Sequence, residues 1–404
     1  MALPLRQTAL GLISTALLSL PALAQSIDDD WLSMSDAEFA AAYADMAFGD
    51  DLQQRQLVAW LWFARVNQQI AAEGKRVDID TGTVPVWMAW ATDPETFTET
   101  PAFTYAPTPR DDPQFITPKD ELAGKIASTT AEGAPNAGGE EVTRNAISYD
   151  YLTGKGLNTY AGVLAHVRSG AQVDMPIGTI ETKIKWVKVN ARTPAPEGAM
   201  VFRFASGDYW WAGIHIMAKM RPLPADPFFS EDPSWFWTTY EFTNGLGVAH
   251  VRDAFMNQNA PIGADMVARV LEQGGIAGIG YENYSPNGTQ IRFTVNADGK
   301  TPVILGHTMM EDFAGYPDHD DPSGWITDST SCHTCHASAS INPQTGNFFP
   351  FTVPVGTLSD HYIGTGTTTQ DCNGFSTALG DGYVSLDFMW PIAFQTRPYA
   401  CPSD

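Results

Sequence analysis

The chain has 404 residues, with 23 Lys plus Arg against 46 Asp plus Glu and a formal net charge of −23. A field of that sign repels nucleic acid and anionic membrane surfaces and favours basic partners. With 12 Trp, 13 Tyr and 21 Phe, the chain is too aromatic to be disordered throughout and can build a substantial core.

The start of the chain carries one basic residue, Arg6, then an apolar run from Ala9 to Leu20 and the small-residue stretch Pro21-Ala22-Leu23-Ala24. That order reads as a Sec signal peptide over residues 1–24, cleaved near Ala24/Gln25, so a periplasmic or secreted protein is expected. The run is short for a bilayer, and no later apolar stretch reaches about 18 residues, so no stable membrane span is expected after cleavage. A lone arginine speaks against twin-arginine export.

Ser35-Asp36-Ala37-Glu38 has capping-box spacing and predicts a helix through about Phe48. A second helix is predicted from Leu52 to about Glu73. Its broad apolar face contains Leu57, Trp60, Leu61, Trp62, Phe63, Val66 and Ile70, and Gly74 is placed to stop it. Residues 25–94 therefore read as a helical N-terminal region, ending in the apolar run Val84–Ala91. Residues 95–143, rich in Pro, Thr and Glu and without a period, read as a surface excursion, with regular structure returning near Arg144.

Residues 144–326 read as a β-rich body. Ala161–Arg168 is a short helix carrying His166. Over residues 179–189, alternation puts Ile180, Ile184 and Trp186 on one face and Glu181, Lys183 and Lys185 on the other. In Tyr209–Met220, Trp210, Ala212, Ile214 and Ile216 oppose Trp211, Gly213, His215, Met217 and Lys219. Lysines on these segments are expected at solvent. Further strands are predicted at Met200–Phe204, Ser234–Phe242 and Val303–Phe313, a helix at Met256–Gln273, and a hairpin turn at Asn287-Gly288. The fold class is α+β: a helical N-terminal region, a largely antiparallel β-rich body and an irregular C-terminal lobe over residues 327–404.

That lobe contains Cys332-His333-Thr334-Cys335-His336, which has the C-x-x-C-H attachment pattern of haem c. Thiols at Cys332 and Cys335 would each join one vinyl group of the same porphyrin, and His336 would be held beneath the iron as its proximal ligand. A zinc site needs a second ligand pair, and a thioredoxin-like pair needs a βαβ surround; the sequence offers neither. One covalent haem c is expected. The ligand opposite His336 decides the chemistry, because two protein ligands suit an electron carrier and an open position suits an enzyme or a gas sensor. His215, His307 and Met389 are the pocket or distal-ligand candidates, ahead of Met217, Met309, Met310 and His361. For each alone, a core methionine or a hydrogen-bonded histidine is the plainer reading. Glu311 and the loop Asp318–Asp321 read as solvated. Cys372 and Cys401 are expected to form a disulfide closing a loop of about 30 residues.

Gly213-Ile214-His215-Ile216, Trp235–Glu241, Leu305-Gly306-His307, Glu311 and Ser331–Ala337 carry a family likeness. Across roughly residues 140–400 the chain resembles the exported bacterial proteins usually called cytochrome c family proteins. The resemblance implies export and covalent haem, and favours His215 as a pocket residue. A more distant similarity is to β-rich haem enzymes with one C-x-x-C-H and a lysine cross-linked to the porphyrin, which oxidise hydroxylamine or handle nitric oxide. It would implicate Lys183, Lys185, Lys188 or Lys219. The expected function is that of a periplasmic mono-haem c-type cytochrome that passes single electrons to a redox partner protein with a basic docking surface. The alternative is a haem c oxidoreductase with an open distal site for peroxide, hydroxylamine or a nitrogen oxide, or a haem-based sensor. No nucleic-acid partner is expected.

Overall fold

A computed structural model describes residues 30–71, 82–103, 110–116, 138–191, 193–225, 232–243, 261–292, 305–307, 309–310, 332–337, 339–348, 369–370, 376–377 and 382–396. The expected signal peptide, Glu311, Asp318–Asp321, His361, Cys372 and Cys401 lie outside these residues.

Helix α1 (Asp36–Phe48) begins at the expected box. The Ser35 hydroxyl accepts from the Glu38 N–H, and the Glu38 carboxylate accepts from the Ser35 N–H. Helix α2 (Leu52–Val66) is capped by the Asp51 carboxylate, which accepts from the N–H groups of Gln53 and Gln54. It ends before Glu73, the expected limit. The buried Asn67 side chain donates to the Phe63 carbonyl and accepts from the Trp87 indole, so a side-chain amide satisfies the helix end. Ile70 then lies in β1 (Gln69–Ala71), paired antiparallel with β2 (Thr83–Pro85).

A 3-10 turn (Val86–Ala89) leads to β3 (Ala91–Thr92) and the single-turn α3 (Asp93–Thr96). Regular structure resumes at β4 (Gly138–Arg144), inside the stretch read as a surface excursion. Its Glu140, Glu141 and Arg144 are buried, and Arg110 bridges Glu141 at 2.8 Å, so parts of residues 95–143 belong to the body. Next come α4 (Ala146–Gly154), α5 (Tyr160–Arg168), β5 (Ile180–Lys188), β6 (Val201–Phe204), β7 (Gly207–Lys219), β8 (Trp235–Phe242), α6 (Ala264–Gln273) and β9 (Tyr284–Gln290). A seven-stranded antiparallel sheet runs β3-β4-β5-β7-β8-β9, with β6 paired to the start of β7. The α+β class follows directly.

Three local readings are corrected. Asn287-Gly288 is not a hairpin turn but lies within β9, beside a register shift opposite Thr239 and Tyr240 that Gly288 absorbs at φ 128°. Helix α6 starts at Ala264, after the irregular residues 261–263. Near the expected strand at Val303–Phe313, the Met310 N–H returns to the His307 carbonyl at 3.1 Å, which makes a turn.

One face of the sheet packs on α1, α2 and α6. Phe63 stacks on Tyr240 at 4.0 Å, and Ile180, Ile184, Trp186, Ile214 and Ile216 join the same core. Opposite Lys185 and Trp186, β7 carries Ala212 as an extra residue, so Trp211 pairs with Trp186 on this helix side, against simple alternation. The other face presents the rows Arg144–Glu181–Met217–Trp237–Gln290, Lys183–His215–Thr239 and Glu140–Lys185–Gly213–Glu241. The C-terminal lobe adds α7 (Cys332–Ala337), β10 (Ser340–Ile341), the pair β11 (Thr369–Gln370) and β12 (Ser376–Thr377), β13 (Val384–Ser385) and α8 (Trp390–Thr396). Strands β10 and β13 pair antiparallel. Met217, Trp235 and Trp237 of the sheet share a second core with Leu305, Ala337, Ile341, Phe388, Met389 and Ile392. No helix among the described residues is long and apolar enough to cross a membrane.

Candidate functional site

The C-x-x-C-H segment forms α7 and lies against the charged face of the sheet. The His333 N–H donates to Gln290 Oε1 at 2.9 Å, which fixes the helix to the end of β9. Cys332 is partly buried, with Sγ 3.4 Å from the Leu305 carbonyl. Cys335 sits three residues on, nearly one helical turn. The His333 ring is buried 5.0 Å from both Trp237 and Phe388. Burial, and secondarily the neighbouring His336, push its pKa down to about 3.

His336 carries the most informative geometry. Its ring lies 6.1 Å from Trp237, and Nδ1 is 2.7 Å from the Phe388 carbonyl oxygen. A carbonyl only accepts, so Nδ1 must carry the proton and Nε2 the lone pair. This is the tautomer an iron-binding imidazole adopts when its other nitrogen is held by a backbone oxygen. Next to it, Trp237 Nε1 is buried with no hydrogen-bond partner among the described residues. The site therefore offers a histidine nitrogen of the right tautomer, a cysteine and an aromatic wall, a donor set that fits haem c. Among the described residues no group of three or more His, Cys, Asp or Glu is arranged to hold a metal ion. Porphyrin-bound iron needs only one or two axial ligands, so it does not require such a group.

His215 and His307 are brought together, with ring centroids 6.1 Å apart. His215 is half-buried, and its Nδ1 is 2.6 Å from Thr239 Oγ1 across the β7–β8 ladder. His307 is fully buried. Its Nε2 is 3.2 Å from the Ala212 carbonyl and its Nδ1 accepts the Met309 N–H at 3.0 Å. Both nitrogens are thus engaged by backbone groups. Gly213 permits this approach, because a Cβ there would run into the Tyr240 carbonyl and the His307 ring. Asn287 Nδ2 donates to Glu241 Oε2 and to the Gly306 carbonyl, both at 2.9 Å, tying the 305–307 segment to the sheet. Met389 is buried in the second core, one residue after the carbonyl that holds His336 Nδ1.

Several residues of this region were missed or misread from sequence. Lys219 is fully buried, not solvent-facing, and bonds both oxygens of Asp387 at 2.7 Å. Lys185 is also buried, 3.7 Å from Glu140, which Lys183 reaches at 2.7 Å. Arg144 bonds Glu181 at 2.7 Å and also pairs with Asp93. The available signal was the opposite-charge register of β4 and β5, where Glu140 faces Lys185 and Arg144 faces Glu181. Comparison with known protein families, curated proteins and solved structures returned no match to this chain.

Proposed function

We propose that this protein is an exported mono-haem c-type cytochrome, periplasmic or secreted, that passes single electrons. Cys332 and Cys335 would hold the porphyrin through thioether bonds and His336 would bind the iron. The observation that carries this reading is the His336 Nδ1 to Phe388 carbonyl contact, which leaves Nε2 with the lone pair in a residue that the C-x-x-C-H pattern independently marks. Haem c bound there supplies a one-electron couple between ferric and ferrous iron. The surrounding chain excludes water with Trp237, His333 and Phe388 and fixes the orientation of the His336 ring. The net charge of −23 supports a redox partner with a basic docking surface.

A second reading has its own support. His307 has both nitrogens engaged by backbone groups, and His215 lies beside it on the same sheet face with Nδ1 on Thr239 Oγ1, so His215 is the distal candidate to test first. If His215 does not bind, the distal side is open, and an oxidoreductase acting on peroxide, hydroxylamine or a nitrogen oxide, or a gas sensor, follows.

Absorption spectra of protein exported to the periplasm, oxidised and reduced, with and without carbon monoxide, test both readings. Covalent haem with a low-spin spectrum indifferent to carbon monoxide supports the carrier, and His215→Ala should then make the spectrum respond to the gas. A wild-type spectrum that shifts with carbon monoxide supports the open site. Absence of covalent haem sinks both.

A further inference from the structure

Asp387 and Phe388 have φ of 50° and 65°, and they are the two non-glycine residues with positive φ among the described residues. Side chains with a Cβ avoid this left-handed region, and two in succession persist only where the surroundings over-determine them. The surroundings do so here. Asp387 is fully buried, and both its oxygens accept from Lys219 Nζ at 2.7 Å. Oδ1 also accepts the Trp235 indole N–H at 2.8 Å, and Oδ2 the Met175 N–H at 2.6 Å. The Asp387 N–H donates to Ser385 Oγ at 3.1 Å. Strands β7 and β8 and the segment before β5 thus converge on one carboxylate, while Ser385 of β13 holds the backbone N–H of the same residue. What the turn delivers is the Phe388 carbonyl, 2.7 Å from His336 Nδ1.

We infer that Asp387, clamped by Lys219, is a positioning residue for the proximal histidine: it holds the left-handed turn that aims the Phe388 carbonyl at His336 Nδ1. The inference rests on the reading that His336 binds haem iron. A carbonyl held firmly on Nδ1–H makes the imidazole a stronger donor, which favours ferric over ferrous iron and lowers the reduction potential. Releasing the turn weakens that hydrogen bond and raises the potential.

The test uses the full exported holoprotein and the double variant Lys219→Met/Asp387→Asn, which removes both buried charges together and so leaves neither stranded. The readouts are the reduction potential and the solvent exchange of the His336 Nδ1 proton by NMR. The expected result is retained covalent haem, a higher potential and exchange about tenfold faster, as the weakening of one ordinary hydrogen bond allows. Retained haem with both readouts at wild-type values overturns the inference and leaves the haem reading standing. Should the double variant not fold, Ser385→Ala decides. It removes only the hydroxyl that accepts the Asp387 N–H, and both readouts should move the same way by less; no movement overturns the inference. A wild-type protein without covalent haem overturns the underlying reading and this inference with it.

Discussion

Arg144 faces two carboxylates in a buried pocket, and one guanidinium cannot neutralise both. Burial pushes Glu181 up to about 7 against the pull of Arg144, and Asp93 is raised by burial as well. The unfolded chain releases the Glu181 proton near the ordinary value of 4.5, while the folded chain keeps it until about 7. Between those values the native state binds more protons, so stability falls as pH rises through the window. At about 1.4 kcal/mol per pH unit, the loss from this group is on the order of 3 kcal/mol. Glu181→Gln removes the titration and leaves Arg144 balanced by Asp93. Urea denaturation at pH 5 and pH 8 should show wild type losing markedly more stability than the variant across that interval, and equal losses would count against the assignment. Gly213 makes a steric claim at the same scale. Gly213→Ala forces the Tyr240 carbonyl and the His307 ring apart, and should cost roughly 1–3 kcal/mol of unfolding free energy. Alternation placed Gly213 on the same face as His215, but that His307 lies on it depends on a contact across 94 positions and has no local sign. Neither does the pairing of Lys219 with Asp387, 168 residues away.

Elements whose ends are set by local chemistry were legible. The Ser35–Glu38 box opens α1 as read, and the alternation in β5 assigns its faces correctly. Elements set by distant partners were not. The helical period of α2 continues past Val66, but the buried Asn67–Trp87 bond stops the helix there. The Asn-Gly pair in β9 is a local turn signal that tertiary bonds override. Asn287 bridges Glu241 and Gly306, which requires an extended strand with a bulge. Asn287→Ala removes both bonds and leaves the buried Glu241 carboxylate one donor short. The expected cost is about 1–3 kcal/mol, with faster amide hydrogen exchange at residues 305–307 than in wild type. Unchanged exchange at that segment would show that it is held by other contacts.

At the scale of the whole molecule, the sheet has two buried faces of opposite character. The α+β class was readable because the apolar period changes from helical to alternating along the chain. The burial of the charged face was not, since alternating Glu and Lys read as a solvated strand until α3, α4 and the C-terminal lobe are known to pack on it. The C-x-x-C-H helix lies on this face beside Trp237, Lys219 is buried on Asp387 of the lobe, and Arg144 and Glu181 are buried against Asp93 of α3 and Ser148 of α4. Among the described residues the buried charges nearly balance, five cations (Arg55, Arg65, Arg144, Lys185, Lys219) against six carboxylates (Asp93, Glu140, Glu141, Glu181, Glu241, Asp387), so the exterior keeps the strongly negative sign of the whole sequence. A strongly negative exterior steers a basic partner over distances that salt shortens, with a screening length near 10 Å at 0.1 M ionic strength. Stopped-flow reduction by a basic electron-donor protein should therefore slow about tenfold or more between roughly 10 mM and 300 mM salt. Reduction by an acidic donor should hold steady or quicken, because screening relieves like-charge repulsion. If both donors respond to salt alike, the acidic surface plays no part in docking.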